Sequence, residues 1–298
     1  MQRILLNLKA FGDFVIAINS VRKIQKSPDL ISPPKIIAGL HLKDLANALE
    51  IKNVAFIGDD GDIDVPAIFD LRKKGFFEGF KSLIKIINHT KSIPKNSELI
   101  FDKLGIRERV IGGGRLITCC PKADNIYLAY EILFKKFGYS LLNDKIEARF
   151  KFRRALIIPS SRISRKIIPK KTISDIVKVL NTHGISGTVM SFNGDLVSLP
   201  TENNIIFLDR NFYDLVDLVK KYDLVVAADS LPSHLCEFLK IPTFVYTYTP
   251  NLYYLPKSAF LLNGWAIFGD MIPFNLWLKK HGIIVLRASI FCNSSINN

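Results

Sequence analysis

Short runs of β-branched and apolar residues alternate along this chain with amphipathic segments of helical period. Ile4–Leu8 predicts a buried first strand, and an amphipathic helix follows it from Gly12 to about Gln25. Strands that alternate with helices are typical of parallel α/β sheets. Because the alternation starts afresh at Ala155, we predict an α/β protein with two doubly wound, Rossmann-like parallel sheets rather than one eight-unit barrel.

The predicted elements form two groups of similar size. In the first group, further strands are expected at 35–38, 53–57 and 67–71, with helices at 42–49, 75–88 and 125–137. In the second group, strands are expected at 155–159, 187–191, 205–208, 223–227 and 243–246, with helices at 172–183, 212–220 and 232–239. A charged stretch between the groups, residues 143–154, has no clear period and is interpreted as a linker. We therefore predict an N-terminal domain of residues 1–150 and a C-terminal domain of residues 151–298, with the option that the extreme C-terminus packs back on the first domain.

The composition is that of a folded protein with an anionic partner. Of the 298 residues, 48% are hydrophobic and 11% aromatic, which argues against disorder. The net charge is +14, because 41 Lys and Arg face 27 Asp and Glu. Such an excess favours nucleic acid, a phosphorylated glycan or an acidic membrane surface. The mean hydropathy of +0.19 tilts this choice towards a membrane surface.

The cysteines and the N-terminus favour a cytoplasmic protein with reduced thiols. The four cysteines have neither a zinc spacing nor a disulfide ladder; they are Cys119, Cys120, Cys236 and Cys292. Lys9 and Asp13 interrupt the apolar N-terminus, and no small-residue cleavage site follows, so no signal peptide is expected. Asp270 and Pro273 interrupt the nearest apolar run, residues 260–278, so no transmembrane helix is predicted.

The first candidate site is the turn Lys9–Asp13, between the first strand and its helix. In open α/β sheets, ligands bind beyond the carboxyl ends of the strands, which is where this turn lies. Gly12 permits a tight turn, and Asp13 stands at the start of the helix. A simpler alternative is that Asp13 only caps the helix by accepting backbone N–H bonds.

The second candidate site is the segment Asp229–Leu235, where a strand ends in an Asp-Ser turn and Pro232 starts a helix. The backbone N–H groups and positive end of a helix are suited to a diphosphate. His234, in the first turn, is expected to add a hydrogen bond or to orient Asp229. The alternative is an ordinary Asp/Ser cap beside a surface histidine.

A third candidate is the loop 159–169, which follows the first strand of the second group. It combines the hydroxyls of Ser160 and Ser161 with Arg162, Arg165 and Lys166. Such side chains can hold phosphate oxygens by bidentate and point-charge contacts. The alternative is a solvated basic loop.

Two further patterns give little support for a metal or nucleotide site. The acidic segment Asp59–Asp64 fails as an EF-hand, because Val65 and Leu71 stand where the turn glycine and the bidentate glutamate belong. As an Asp-x-Asp magnesium motif it is weak, and we interpret it as a loop. Gly112–Gly114 lacks the spacing of a dinucleotide fingerprint or a P-loop.

Taken in order, these segments resemble glycosyltransferase family 9, the lipopolysaccharide heptosyltransferases. The family's strand followed by Leu-Gly-Asp is matched by Ala10–Asp13, and its middle segment is echoed by Val110–Gly112 and Leu116–Cys119. Its Pro-Gly-Ala-Ser…Lys-Arg-Trp-Pro resembles Pro159–Ser161 with Lys166–Pro169. Its Asp-Ser/Thr-Gly-Pro-x-His-Leu appears as Asp229–Leu235. The resemblance covers residues 1–250.

The resemblance implies a GT-B fold, with two Rossmann-like domains facing each other across a cleft. It implies an inverting transfer of a sugar from a nucleotide sugar, with no cofactor and no metal. Asp13 would be the general base, with Lys9 and Gly12 near the acceptor. Donor binding is implied for Ser160, Ser161, Lys166, Asp229, Ser230, Pro232, Ser233 and His234.

This family resemblance also implies the partners. ADP-heptose is the first expectation for the donor, and an anionic glycolipid or oligosaccharide of the lipopolysaccharide core is expected as acceptor. The location would be cytoplasmic, with peripheral contact at the inner membrane and no nucleic acid.

The sequence departs from the family at several positions. Leu231 replaces a glycine that lets the backbone approach the phosphates, and Thr249–Asn251 stands where Gly-Pro-Thr is usual. Ile168 replaces a tryptophan, Cys119 a histidine, and residues 252–287 do not follow the pattern. Another nucleotide sugar therefore remains an alternative donor, and donor hydrolysis or epimerisation an alternative reaction.

A non-catalytic basic protein that binds anionic lipid or nucleic acid is a further alternative, which requires clustered basic residues with exposed aromatics. The aromatic stretch 251–278 is a candidate membrane contact, although interdomain packing is the preferred interpretation.

Overall fold

The computed structural model describes residues 1–8, 10–25, 32–58, 75–142, 150–194 and 204–282. Strands and helices are numbered in chain order among these residues. The first group consists of β1 (Arg3–Asn7), α1 (Phe11–Val21), β2 (Lys35–Gly39), α2 (Lys43–Ala48), β3 (Val54–Ile57), α3 (Phe76–Thr90), β4 (Glu98–Phe101), α4 (Ile106–Gly112), β5 (Leu116–Cys119) and α5 (Ile126–Lys136). The second consists of β6 (Arg154–Ile158), α6 (Lys170–Thr182), β7 (Ser186–Phe192), β8 (Asn204–Leu208), α7 (Phe212–Val219), β9 (Leu224–Ala228), α8 (Leu231–Leu239), β10 (Thr243–Thr247), α9 (Lys257–Leu261), β11 (Trp265–Ile267) and α10 (Ile272–His281).

Both sheets are parallel and share one topology. The first has the order β3-β2-β1-β4-β5, and the second the order β8-β7-β6-β9-β10-β11. In each sheet the chain first moves to one side of the starting strand and then returns to its other side. The order therefore reverses between β1 and β4 and again between β6 and β9, and ligands of doubly wound sheets bind beside such a reversal. The predicted α/β architecture is confirmed.

Helices cover both faces of the first sheet because its strands are apolar on both sides. Leu5 on one face packs with α1, α2 and α5, whereas Ile4 and Leu6 on the other pack with Ile86 of α3 and Ile111 of α4. In the second sheet, β6 is likewise fully buried after its first residue. Its starting strand is thus as enclosed as β1, which fixes the loops that follow both strands.

The two groups join through a shared apolar layer. The helix α1, which follows β1, packs against α8, which follows β9, in a cluster that includes Phe14 and Leu235. Polar contacts reinforce this layer: Glu131 on α5 accepts from Lys23 at 3.2 Å and from Lys257 on α9 at 2.6 Å. The carboxyl edges of the two sheets are consequently held facing each other.

Most elements agree with the sequence prediction to within a few residues, but six described elements were missed: β4, α4, β5, α9, β11 and α10. The strand predicted at 67–71 lies outside the described residues, as does most of the predicted linker, residues 143–149. The domain boundary at residue 150 therefore stays a prediction. None of the described helices combines the length and apolarity needed to cross a membrane.

Candidate active site

Asp13 lies in the first turn of α1, directly beyond the carboxyl end of β1. The cap position of this helix is taken by Ala10, in extended conformation and without a side-chain cap. The alternative that Asp13 serves as the helix cap is therefore wrong. As the third residue of the helix, its carboxylate still benefits from the positive end of the helix dipole.

Asp13 shares a small cavity with a second carboxylate, that of Asp102. The cavity of about 10 Å³ is lined by both acids and by Asn7, Tyr130 and Tyr254. Asp102 follows β4, so the two acids come from the two strands that flank the reversal of the first sheet. The cavity is therefore negatively charged and lies where a doubly wound sheet binds its ligand.

Tyr254 contributes a phenol to this cavity from the second half of the chain. It belongs to a short 3-10 helix, Leu252–Tyr254, which follows β10. Burial raises the pKa of its phenol, and the charges of Asp102 and Asp13 raise it further. The hydroxyl thus stays protonated near neutral pH and remains available as a hydrogen-bond donor.

The corresponding position of the second sheet holds an ion pair. The Lys166 ammonium donates to Asp229 Oδ2 at 2.6 Å and to the Asp229 carbonyl oxygen at 3.2 Å. Lys166 ends the 3-10 helix Ser164–Lys166 in the loop after β6, whereas Asp229 follows β9. The pair therefore bridges the two strands at the reversal of the second sheet.

Two serines lie beside this pair. The Ser230 hydroxyl donates to the Ser160 carbonyl oxygen at 3.2 Å, so Ser230 occupies the cap position of α8 without capping it. The Ser160 hydroxyl is buried and has no hydrogen-bond partner within the part of the chain that the structure describes. Because such a group is costly to leave unpaired, it is suited to a ligand oxygen.

The remaining residues of the second predicted site, at the start of α8, face inward. Ser233 is fully buried, and its hydroxyl donates to the Ser230 carbonyl oxygen at 2.8 Å. Pro232 is buried in the first turn and has no N–H to offer a phosphate. Leu231, where the family has glycine, packs against the apolar layer between the two sheets. Its side chain thus contributes to the interdomain contact.

His234 is a buried interdomain contact. Tyr127 on α5 and His234 on α8 form a hydrogen bond of 3.1 Å between the phenol oxygen and Nδ1. Burial lowers the pKa of His234 to about 4 and raises the pKa of Tyr127 well above its usual value. At neutral pH the bond therefore joins a protonated phenol to an uncharged imidazole. The alternative of a surface histidine is wrong.

Gly12 allows this contact. A Cβ at Gly12 would lie 3.1 Å from Cδ2 of His234, closer than most real Cβ contacts. The helix start that carries Asp13 therefore touches the helix that follows Asp229. The structure thereby brings the first two predicted sites to one cleft.

The other predicted positions have plainer surroundings. Ser161 Oγ accepts from the Ile163 amide at 3.3 Å, and Arg162 and Arg165 are exposed. Cys119, Cys120 and Cys236 are present as thiols. Lys9, the acidic segment 59–64 and Cys292 lie outside the described residues.

The sequence analysis missed Asp102 and Tyr254. A signal for Asp102 was present, because Leu99–Phe101 is an apolar run that ends in an acid. Nothing local singled out Tyr254 among its neighbouring aromatic residues.

The sequence matches no protein-family model and no curated protein. Solved structures do match the fold over almost the whole chain. A glycosyltransferase family 9 protein of Veillonella parvula has 14% sequence identity and a TM-score of 0.58, with 94% of this chain and 90% of that chain covered. The chain has the GT-B fold.

Two Escherichia coli enzymes show the same similarity. Heptosyltransferase WaaC, solved with ADP, has 13% identity and a TM-score of 0.56, over 89% of this chain and 92% of its own. ADP-heptose lipopolysaccharide heptosyltransferase II has 12% identity and a TM-score of 0.52, over 93% and 96%. The fold expected from the motif resemblance is thereby confirmed. At such low sequence identity, the similarity shows the fold alone.

Proposed function

We propose that this protein is an inverting, metal-independent glycosyltransferase that moves a sugar from a nucleotide sugar to an acceptor hydroxyl. The observation that carries the proposal is the meeting of two unlike sites in one GT-B cleft. A carboxylate, Asp13, lies after β1, and a cationic group with an unpaired hydroxyl, Lys166 with Ser160, lies after β6. A base on one side and an anion site on the other are what a direct displacement needs.

In the proposed reaction, Asp13 accepts the proton of the acceptor hydroxyl while its oxygen attacks the anomeric carbon. The bond from that carbon to the diphosphate breaks, and the diphosphate leaves with the electron pair. Lys166, the Ser160 hydroxyl and the start of α8 stabilise the charge that grows on the leaving group. Asp229 positions Lys166 through their ion pair. Attack from the side opposite the diphosphate inverts the anomeric centre.

For the substrates, we infer ADP-heptose as the first donor to test and an anionic core glycan of bacterial lipopolysaccharide as the acceptor class. The motif resemblance and the shared fold with heptosyltransferases solved with ADP support this choice. The net charge of +14 suits an anionic glycolipid at the cytoplasmic face of the inner membrane. Lys9 and Gly12 are assigned to the acceptor side, and Ser161, Ser230, Pro232, Ser233 and His234 to the donor side.

A panel of ADP-, UDP-, GDP- and CMP-linked sugars tests the proposal by thermal shift, because a ligand of the folded state raises Tm. We expect ADP-linked sugars to give the largest shift, and the bound donor to be consumed only when an acceptor glycan is added. If a sugar linked to another nucleotide stabilises the protein most, the assigned donor would change but the proposed reaction would not. Consumption without acceptor would indicate a hydrolase or epimerase, and no shift with any member would contradict a nucleotide-sugar site.

A further inference from the structure

Helix α3 carries an exposed apolar face. Phe76, Phe77, Phe80 and Ile84 are 71%, 87%, 53% and 44% exposed. Phe76 and Phe80 stack with ring centroids 6.3 Å apart, and Phe77 meets Phe76 edge-on. Isolated apolar side chains are common on protein surfaces, but three adjoining phenylalanines on one helix form a patch of the kind that marks an interaction site.

The opposite face of the same helix is already used. Leu83 and Ile86 pack into the apolar cluster on the first sheet, so α3 is fixed in place by its inner face. The phenylalanines consequently do not contribute to this described core. We call the exposed surface formed by Phe76, Phe77, Phe80 and Ile84 the α3 face.

Charge next to the α3 face indicates its partner. Residues 75–95 contain four lysines against one acid, Glu78. Lys81 is exposed and adjoins Phe77 and Phe80 along the helix, and Lys85 follows one turn later. Aromatic residues on one side of a basic helix are typical of helices that lie in the interface of an anionic bilayer. Anionic headgroups complement the charge of the lysines, and the apolar layer beneath the headgroups takes up the aromatic rings, so one lipid surface accounts for both features.

The position of α3 relates this face to the active site. The carbonyl oxygen of Thr90, the last residue of α3, accepts from Arg115 Nη2 at 3.0 Å, and Arg115 directly precedes β5. The helix therefore ends at the edge where the strands begin, and its first residues lie towards the edge where the strands end. Phe76 and Phe77 form its first two residues, at the same edge as Asp13 and Asp102. A bilayer in contact with this end of α3 would thus lie at the acceptor side of the cleft.

We propose that the α3 face docks the protein on an anionic lipid bilayer and thereby presents lipid-linked acceptors to Asp13. The presentation of acceptors to Asp13 rests on the proposed function, whereas the docking itself does not. The proposal places the membrane contact on α3 and not on the aromatic stretch 251–278. There, the most exposed large apolar side chains are Ile272 and Leu276 of α10, at 70% and 58%.

Vesicle sedimentation tests the docking without donor or acceptor. The wild-type chain should bind vesicles of phosphatidylcholine with phosphatidylglycerol and should bind pure phosphatidylcholine weakly. The variant F76S/F77S/F80S should bind the anionic vesicles at least about tenfold more weakly, because each ring loses apolar burial in the interface. The variant K81E/K85E should bind the anionic vesicles more weakly by a similar factor at low salt. Its difference from the wild type should disappear at high salt, because salt screens the charges.

The matched control is I272S/L276S, which removes two exposed apolar side chains from α10 and should bind vesicles as the wild type does. The substituted side chains are exposed, apart from the half-buried Lys85, and thermal unfolding checks that each variant is folded. Unchanged binding of F76S/F77S/F80S, or an equal loss in the control, would overturn the proposal. Because no turnover is measured, a failed transferase assay leaves the docking result standing, and the reverse also holds.

Discussion

The two sheets repeat one topology but carry opposite chemistry at the point where their strand order reverses. In the first sheet, Asp13 and Asp102 bring two carboxylates to one small cavity. In the second, Lys166 and Asp229 neutralise each other beside the unpaired hydroxyl of Ser160. The fold therefore determines where ligands bind, whereas the first few residues after each strand determine which ligand is bound.

This difference suggests a division of labour. A cavity of carboxylates is unsuited to a diphosphate and suited to a hydroxyl that must lose a proton. An ion pair next to the start of a helix can open towards an arriving anion, because Lys166 exchanges one negative partner for another. Predictions that affect the two sites separately are the way to test this division.

The largest effect is expected for Asp13→Asn. The amide keeps the shape of the side chain but cannot accept the acceptor proton, so we expect kcat to fall by about 10²- to 10⁴-fold. Nucleotide affinity should change little, because the proposed anion site lies at the other sheet. Initial rates and isothermal titration with the nucleotide would measure the two quantities.

The matched control for this substitution is Asp44→Asn, which alters an exposed acid in the first turn of α2. It should keep wild-type rates. Full activity of Asp13→Asn would remove Asp13 as the base, and a parallel loss of nucleotide affinity would contradict the division between the two sites.

The second prediction concerns His234, which lies on α8 in the second group and contacts Tyr127 on α5 in the first. Its pKa is lowered to about 4 by burial, against an ordinary value of 6.5. Below pH 6.5 the unfolded chain binds a proton that the folded chain refuses, so stability should fall as the pH drops from 6.5 towards 4. The whole shift corresponds to about 3 kcal/mol.

Urea unfolding at several pH values would measure this window in the wild type and in His234→Gln. The variant should lose this part of the pH dependence, whereas the control His183→Gln, at the end of α6, should keep it. If His234 instead binds the donor directly, His234→Gln should weaken nucleotide binding as strongly as it alters the pH profile.

The sequence predicted three of the four strands that flank the reversals, because β1, β6 and β9 lie in predominantly apolar runs followed by turn residues. Asp13, Ser160 and Asp229 were found through these strands. The fourth strand, β4, has only three apolar residues, Leu99–Phe101, which is shorter than the runs of four to eight that indicate a buried strand. Its first residue, Glu98, is buried because Arg3 donates to it at 3.1 Å and Thr118 at 2.5 Å. Asp102 was missed with its strand.

Contacts between the two halves could not be predicted from the sequence. Tyr127 and His234 are 107 residues apart, and their hydrogen bond depends on how α5 and α8 pack in the folded chain. Local pattern left a surface histidine open as an alternative, because nothing near His234 in sequence requires its burial. The same reason applies to Tyr254, which reaches the cavity of Asp13 only through the packing of the segment after β10.

The smallest effect is expected for Lys166→Ala. Lys166 is about one-third exposed, so solvent screens part of its charge, and its removal should weaken nucleotide binding by about tenfold. The decrease in kcat should be larger than the decrease in nucleotide affinity, since charge on the diphosphate increases in the transition state. The control Lys171→Ala, in the first turn of α6, removes an exposed charge of the same sign and should leave both quantities unchanged. Wild-type affinity in Lys166→Ala would show that the ion pair with Asp229 is purely structural, and the anion site would then have to depend on Ser160 and the start of α8.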